Sequence, residues 1–316
     1  MKRHRSWVEV NERALVHNIE TLRSLLESGS RFCAVLKANA YGHGLDEVAS
    51  IAARAGVDAF AVDSIDDALT LRTLFPSALV ITLGYTMLDR FKEALLANIH
   101  LTIYDRGGIE HAQAVGRELA KTFPIHLKVE TGTMRQGVAI DDLPDLTRLL
   151  RESDRVSLEG LSTHFANIED SDDPEFAAHQ FSLYEQARAI LTENGLTPQW
   201  CHCACSAAII LYPQTHKTLV RAGISMYGIW SSELVENTVR RLNLGCELQP
   251  VLTWKSRVAQ IKSISMGTPI GYGLTEMMKR GGRLAIVPVG YWDGYDRLLS
   301  SCGEVLIKGS RCKVMG

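Results

Sequence analysis

The chain has 316 residues, 46% of them hydrophobic, enough for one large barrel or two domains around a sizeable core. Thirty-four basic and 36 acidic residues leave a formal net charge of -2, so no bulk field favours nucleic acid or an anionic membrane. Seven cysteines are an odd number for a disulfide framework, and no apolar run approaches the ~20 residues that span a bilayer.

The N-terminal stretch "MKRHRSWVEVNERAL" is basic but leads into no apolar signal core, so the expected location is the reducing cytoplasm. Beyond it, apolar strand-like runs alternate with segments of helical period. The first run, "FCAVLK", ends in Lys37 and passes into the polar, glycine-containing segment "ANAYGHG". The runs "AFAVDS", "LVITLGY", "IHLTIYD", "IHLKVET", "SLEGLSTHF", "WCHCACS" and "LVRAGIS" follow in order. Between them lie "GLDEVASIAARAG", "IDDALTLRTLF" and "PEFAAHQFSLYEQARAILTENG", with apolar residues at i, i+3, i+4 and i+7 and an Asn194-Gly195 stop after the last. Continuous apolar strands alternating with amphipathic helices imply a parallel sheet covered by helices. About eight such units fit a closed (β/α)8 barrel. A doubly wound open sheet is the alternative, weakened because no Gly-x-Gly-x-x-Gly follows the first strand.

Past residue 240 the rhythm changes. "PVLTWKSRVAQIKSISMGTPIGYG", "GRLAIVPVGYWDGY" and "GEVLIKGSRCKVMG" are strand-like runs punctuated by glycines, with no helical pattern between them. The last reads as a hairpin about "KGSR", and its outer edge is left unpaired. The expectation is therefore an α/β protein: a (β/α)8 TIM-type barrel over residues 11–235, then a second, mostly β and incomplete domain over 236–316, joined by a strand within residues 1–10.

In such a barrel the chemistry sits at the C-terminal ends of the strands. Lys37, Arg135, His164, Ser206 and Arg221 are polar residues that interrupt apolar runs at that level. Each alone has a bland reading: a snorkelling lysine, a hydrogen-bonded core histidine, an arginine paired with a carboxylate. Together they converge on one mouth. A lysine ending a strand in an apolar wall loses hydration, which favours the neutral, nucleophilic amine that condenses with aldehydes. Pyridoxal phosphate is an aldehyde cofactor that also needs a phosphate cradle and a partner for its ring nitrogen. Ser206, the N–H groups of Gly223 and Ile224, and the Tyr41 hydroxyl supply candidates for the cradle. "CHCAC" invites a metal reading, but strand alternation sends Cys201, Cys203 and Cys205 to one face and His202 to the other, and zinc ligands are usually spaced more widely. Buried small hydrophobes are the reading adopted, with no metal.

The ordered set "AVLKANAYGHG", "KVETGTMRQGV", "LSTHFAN", "CSAAIIL", "VRAGISMYG", "IGYG" and "VGYWDGYDR" resembles the signature of the alanine racemases, fold-type III pyridoxal phosphate enzymes, over nearly the whole chain. The resemblance implies an isomerase that interconverts L- and D-alanine by two-base proton transfer, providing D-alanine for peptidoglycan. It implies a head-to-tail homodimer with shared active sites. Lys37 then matches the Schiff-base lysine and one proton-transfer base, and Tyr272 the opposite-face base from the partner subunit. Arg221 matches the residue facing the pyridine nitrogen and His164 a neighbour of the cofactor ring. Tyr41, Ser206, Gly223 and Ile224 match phosphate contacts. Arg135 matches the arginine near the substrate carboxylate, and Tyr291 and Arg297 the entrance corridor. Lys128 matches a lysine that is carboxylated in some members.

A guanidinium stays protonated at working pH and cannot donate a proton to the ring nitrogen, so electron withdrawal is weaker and reprotonation at Cα is favoured over transamination. Three departures stand out: "ETGTMR" where Asp-Thr-Gly-Met-Gly-Arg is usual, Cys205 where asparagine is usual, and the lack of the Arg-x-Cys-Met motif expected after "CKVMG". Rival readings are a broader amino-acid racemase acting on serine or lysine, and a non-catalytic pyridoxal phosphate-binding protein. A related decarboxylase would carry an acidic partner where this chain has Arg221.

Overall fold

The computed structural model describes residues 4–170 and 173–316. It divides into two units, one over residues 11–251 and the other over residues 4–10 with 252–316. Residues 1–3 of the expected N-terminal strand lie outside the described residues.

In the larger unit eight parallel strands follow one another round a nearly closed barrel. With β1 (Ser6–Val10) in the other unit, they are β2 (Arg31–Val35), β3 (Ala59–Val62), β4 (Leu79–Thr82), β5 (His100–Ile103), β6 (Phe123–Lys128), β7 (Val156–Ser162), β8 (Trp200–His202) and β9 (Leu219–Ala222). From β2 to β8 each pairs with the next, and β9 pairs with β2. Between β8 and β9 individual bonds replace a ladder: the Arg221 N–H donates to Ala204 C=O at 3.1 Å, and the Thr218 hydroxyl accepts from the Cys201 N–H at 2.7 Å. These strands are largely buried on both faces, because the helices outside and the packed barrel inside both exclude water.

The covering helices start where the sequence provides side-chain acceptors for their free N–H groups. Asn11, Ser64, Asp105 and Ser232 cap Glu12–Ser24, Ile65–Leu74, Arg106–Glu118 and Glu233–Leu242. No helix among the described residues is long and apolar enough to cross a membrane.

The unit boundary falls after Val251, later than the sequence pattern placed it. The Asn18 side chain explains why. Buried in the first helix, it donates to Met226 C=O at 3.1 Å and to Gln249 C=O at 2.8 Å, and accepts from the Gln249 N–H. Gly228 lets that segment approach: a Cβ there would stand 1.9 Å from the Gln249 oxygen. Hydrophobic periodicity cannot register such polar ties.

The smaller unit is built of antiparallel pairs. β1 pairs with β10 (Leu252–Ser256), β11 (Gln260–Ile264) with β14 (Gly282–Ile286), β12 (Pro269–Ile270) with β13 (Glu276–Met277), and β15 (Glu304–Ile307) with β16 (Ser310–Lys313). The last pair turns at Lys308 and Gly309, both at positive φ, the two-residue geometry that matches strand twist.

Candidate active site at the barrel mouth

The residues singled out in the barrel lie at or just beyond the C-terminal ends of its strands. Just past β2, Leu36 is fully buried and Lys37 is exposed. This corrects the expectation of a lysine desolvated in an apolar wall, because the strand ends at Val35 and the chain turns outward first. The turn is left-handed: Ala38, Asn39, Ala40 and Tyr41 all have φ near +53°, and Gly42 follows at +82°. Four successive L-residues in that region cost about 1–2 kcal/mol each, so the surroundings must enforce it. His43 Nδ1 bonds the Ala40 and Tyr41 carbonyls at 3.1 and 3.0 Å, and the Asn39 carboxamide oxygen accepts from the Leu45 N–H at 2.8 Å. The rings of Tyr41 and His43 pack on Tyr227 at 4.9 and 4.5 Å, and the Tyr227 hydroxyl donates to Val35 C=O. Lys37 Nζ then stands 5.8 Å from the centre of the Tyr41 ring.

Tyr41 is thereby brought against the loop after β9. A Cβ on Gly223 would lie 2.7 Å from the Tyr41 hydroxyl, so only glycine leaves that space open. Ser206 Oγ accepts from the N–H of Gly223 at 3.0 Å and of Ser225 at 3.4 Å, and Ile224 begins the short turn between them and Tyr227. The Ser225 hydroxyl is buried with no partner. Burial pushes the Tyr41 phenol up to about 12, with Cys205 adding to the shift, so its hydroxyl keeps its proton and remains a donor.

Arg221 is buried on β9 and bonded to neutral acceptors. Nη1 donates to His202 Nδ1 and His202 C=O, both at 2.6 Å, and Nη2 donates to Thr163 C=O at 2.8 Å. His164 Nδ1 lies 3.5 Å from the same Nη2. Burial first, then Arg221, Arg135, Lys128 and Lys37, drives the His164 imidazole down to about 3, so the ring is neutral among these cations. Lys128, buried on β6, is lowered to about 8 by burial and by Arg135 and Arg221.

Arg135 is exposed on the loop after β6. The Glu130 carboxylate organises that loop by accepting from the N–H groups of Gly132 at 2.5 Å and Arg135 at 3.1 Å. Those bonds hold Glu130 below the ordinary carboxylate range against the opposing effect of burial. Tyr272, Tyr291 and Arg297 belong to the smaller unit, where Tyr272 is fully exposed and Tyr291 largely so.

Sequence reading missed His43, Tyr227, Glu130 and the inward histidines of β5, β6 and β8. For the histidines a signal existed: "IHLTIYD" and "IHLKVET" each place a titratable ring inside an otherwise apolar run. β8 ends at His202, so strand alternation does not extend to Cys203 and Cys205, and Cys203 donates to Thr215 C=O.

The family profile described as "Alanine racemase, N-terminal domain" matches residues 10–231, and "Alanine racemase, C-terminal domain" matches residues 251–316. A Desulforamulus reducens protein named alanine racemase is 36% identical over 98% of this chain and 82% of its own length. The solved alanine racemase of Clostridium difficile 630 superposes with a TM-score of 0.91 at 30% identity, over 98% of this chain and 80% of that one. That of Bartonella henselae, with covalently bound pyridoxal phosphate, gives 0.84 at 26% identity, over 98% and 82%.

Proposed function

The chain belongs to the alanine racemase family, and from that premise we propose that it interconverts L-alanine and D-alanine with pyridoxal 5'-phosphate. In a cell with a peptidoglycan wall its product would supply D-alanine for that polymer. The observation that carries the proposal is the cradle at Gly223. The Tyr41 and Ser206 hydroxyls lie 2.7 and 3.9 Å from where a Cβ on Gly223 would stand, and the Gly223 and Ser225 N–H groups hold Ser206 Oγ in place. Small backbone, hydroxyls and N–H donors are what a phosphate ester needs.

When bound, pyridoxal phosphate supplies an aldehyde for an amine and a ring that withdraws electrons from Cα. Lys37 is the amine that holds it and the base on one face of the substrate. Tyr41, kept protonated, donates to the phosphate with Ser206, Gly223 and Ile224. His164, kept neutral, lines the ring without adding charge. Arg221 faces the ring nitrogen as a fixed cation that gives up no proton. Arg135 takes the substrate carboxylate, and Lys128, its amine lowered to about 8 and so more readily neutral than an ordinary lysine, suits carboxylation beside it. Racemisation needs a second base on the opposite face, because one base on one face returns the same enantiomer. Tyr272, uncovered in its own unit, is read as that base, delivered to the barrel of a second copy in a homodimer. Tyr291 and Arg297 line the way in. All seven cysteines are free thiols, which supports a cytoplasmic setting.

The test is α-proton exchange of L- and D-alanine in D₂O. Exchange with inversion supports the proposal, and exchange without inversion refutes it. Borohydride trapping and peptide mapping should label Lys37; label elsewhere would sink its assigned role.

A further inference from the structure

One side of the barrel interior carries a run of side chains that none of these roles uses. His100 opens β5, His126 is the fourth residue of β6, and His202 closes β8. Arg221 Nη1 lies 2.6 Å from His202 Nδ1, His202 Nε2 lies 2.8 Å from His126 Nδ1, and His126 Nε2 lies 3.1 Å from His100 Nδ1. Adjacent rings are tilted by 59° and 68°, so they meet through their nitrogens and do not stack. Gly160 on β7 makes the room: a Cβ there would sit 2.2 Å from His126 Nδ1. The nitrogens face one another in line and converge on no point that one metal ion could occupy.

The chemistry of one end dictates the proton positions along the whole run. A guanidinium only donates, so His202 Nδ1 must accept and its proton must sit on Nε2. That N–H makes His126 Nδ1 an acceptor in turn, and the same step fixes His100. A doubly protonated ring would set N–H against N–H. Burial, helped by Arg221 and the neighbouring rings, keeps His126 and His202 far below the ordinary imidazole value. Burial brings His100 to about 4, with Glu159 of β7 opposing the shift and Arg72 of the helix Ile65–Leu74 assisting it.

A buried cation ordinarily needs a carboxylate. Among the described residues, Arg221 instead bonds the rings of His202 and His164 and the carbonyls of Thr163, His202 and Cys203. Three neutral imidazoles with their lone pairs towards Arg221 align their dipoles head to tail, negative end at the guanidinium. A carboxylate would fix the arginine and cancel its charge; these rings fix it and leave the charge whole.

We propose that His100, His126 and His202 form a one-way hydrogen-bond chain that orients and stabilises the Arg221 guanidinium in place of a carboxylate, with His100 as the terminal positioning residue. The proposal rests on the racemase reading only for what Arg221 faces, since the chain belongs to the unloaded protein.

Nitrogen-15 NMR of the histidine-labelled protein without cofactor tests it directly, because imidazole shifts separate the two neutral tautomers from the charged ring. All three rings should be Nε2–H at neutral pH. An Nδ1–H tautomer or a charged ring at His126 or His202 overturns the chain. His100→Leu removes the acceptor for His126 Nε2–H, whereas His100→Gln restores one through its amide oxygen. The leucine variant should move the His202 resonances, although it does not touch that ring. It should also lower kcat of the loaded enzyme roughly tenfold with little change in KM, and the glutamine variant should recover both. Unmoved His202 resonances in a folded leucine variant would also overturn it, and if that variant does not fold the wild-type tautomers decide. A loaded protein with the expected tautomers and no racemisation would count against the proposed function and leave the chain standing.

Discussion

Across β2, β3, β4 and β9 the barrel interior holds Cys33, Val35, Ala59, Ala61, Ile81 and Leu219, whereas β5, β6 and β8 contribute His100, His126 and His202, with Arg221 joining the two sides. The apolar side draws its stability from area removed from water, so neighbours of similar volume can substitute. The polar side is stable only if each donor meets an acceptor, because a buried unpaired group costs about as much as several good hydrogen bonds return. One side tolerates change and is indifferent to pH. The other admits a single proton arrangement and ties the fold to the site.

Removing the shared donor should have the largest effect. Arg221→Met leaves His202 Nδ1 and the Thr163 and His202 carbonyls without their partner, and a denaturant titration should show a loss of roughly 3–5 kcal/mol along with racemisation near background. On the apolar side Leu219→Ala should cost about 3 kcal/mol by cavity formation, with kcat of the folded fraction nearly unchanged. A fall in kcat as steep as that of Arg221→Met would erase the distinction between the sides. Gly160→Ala adds one methyl group against His126 and should cost about 1–3 kcal/mol, more than an alanine substituted for a glycine elsewhere in a strand.

Of the two barrel sides, acidification acts on the polar one. A ring whose pKa falls from 6.5 in the unfolded chain to about 4 in the fold binds fewer protons folded than unfolded between those values. Stability there rises with pH and is lost as pH falls from 6.5 towards 4, by about 1.4 kcal/mol per pH unit for each such ring. His100→Gln should flatten the slope of stability against pH by that amount, and an unchanged slope would place the lost protons elsewhere. The smallest effect on stability is expected at Gly223→Ala, under about 1 kcal/mol because the Tyr41 side chain can shift. Cofactor affinity should nevertheless drop, read by absorbance titration.

The smaller unit contrasts with both sides of the barrel. Among its described residues only Gly303 is buried, and Tyr272, Tyr291, Trp292 and Leu298 are strongly exposed. Its β character was legible from strand-like runs punctuated by glycines, and its last turn from "KGSR". The absence of any buried side chain was not, because a strand with one apolar face reads the same whether or not that face finds cover.

Much of the candidate site was legible for a chemical reason. Lys37, His164, Ser206 and Arg221 are polar residues where an apolar strand gives out, a pattern that costs free energy unless function or pairing requires it. His43, Glu130 and Gly160 were not legible, since their roles are contacts with backbone or rings distant in sequence.

Composition and periodicity determined the eight-strand alternation, the change to β structure beyond it and the chemical kinds available at the mouth, because burial and strand period act locally. Only the tertiary structure decided that Lys37 is exposed beyond a left-handed turn and that Gly223 leaves space for the Tyr41 hydroxyl. It alone lined three histidines up behind Arg221. Those outcomes depend on which nitrogen meets which across the barrel, and no local rule of sequence carries that distance.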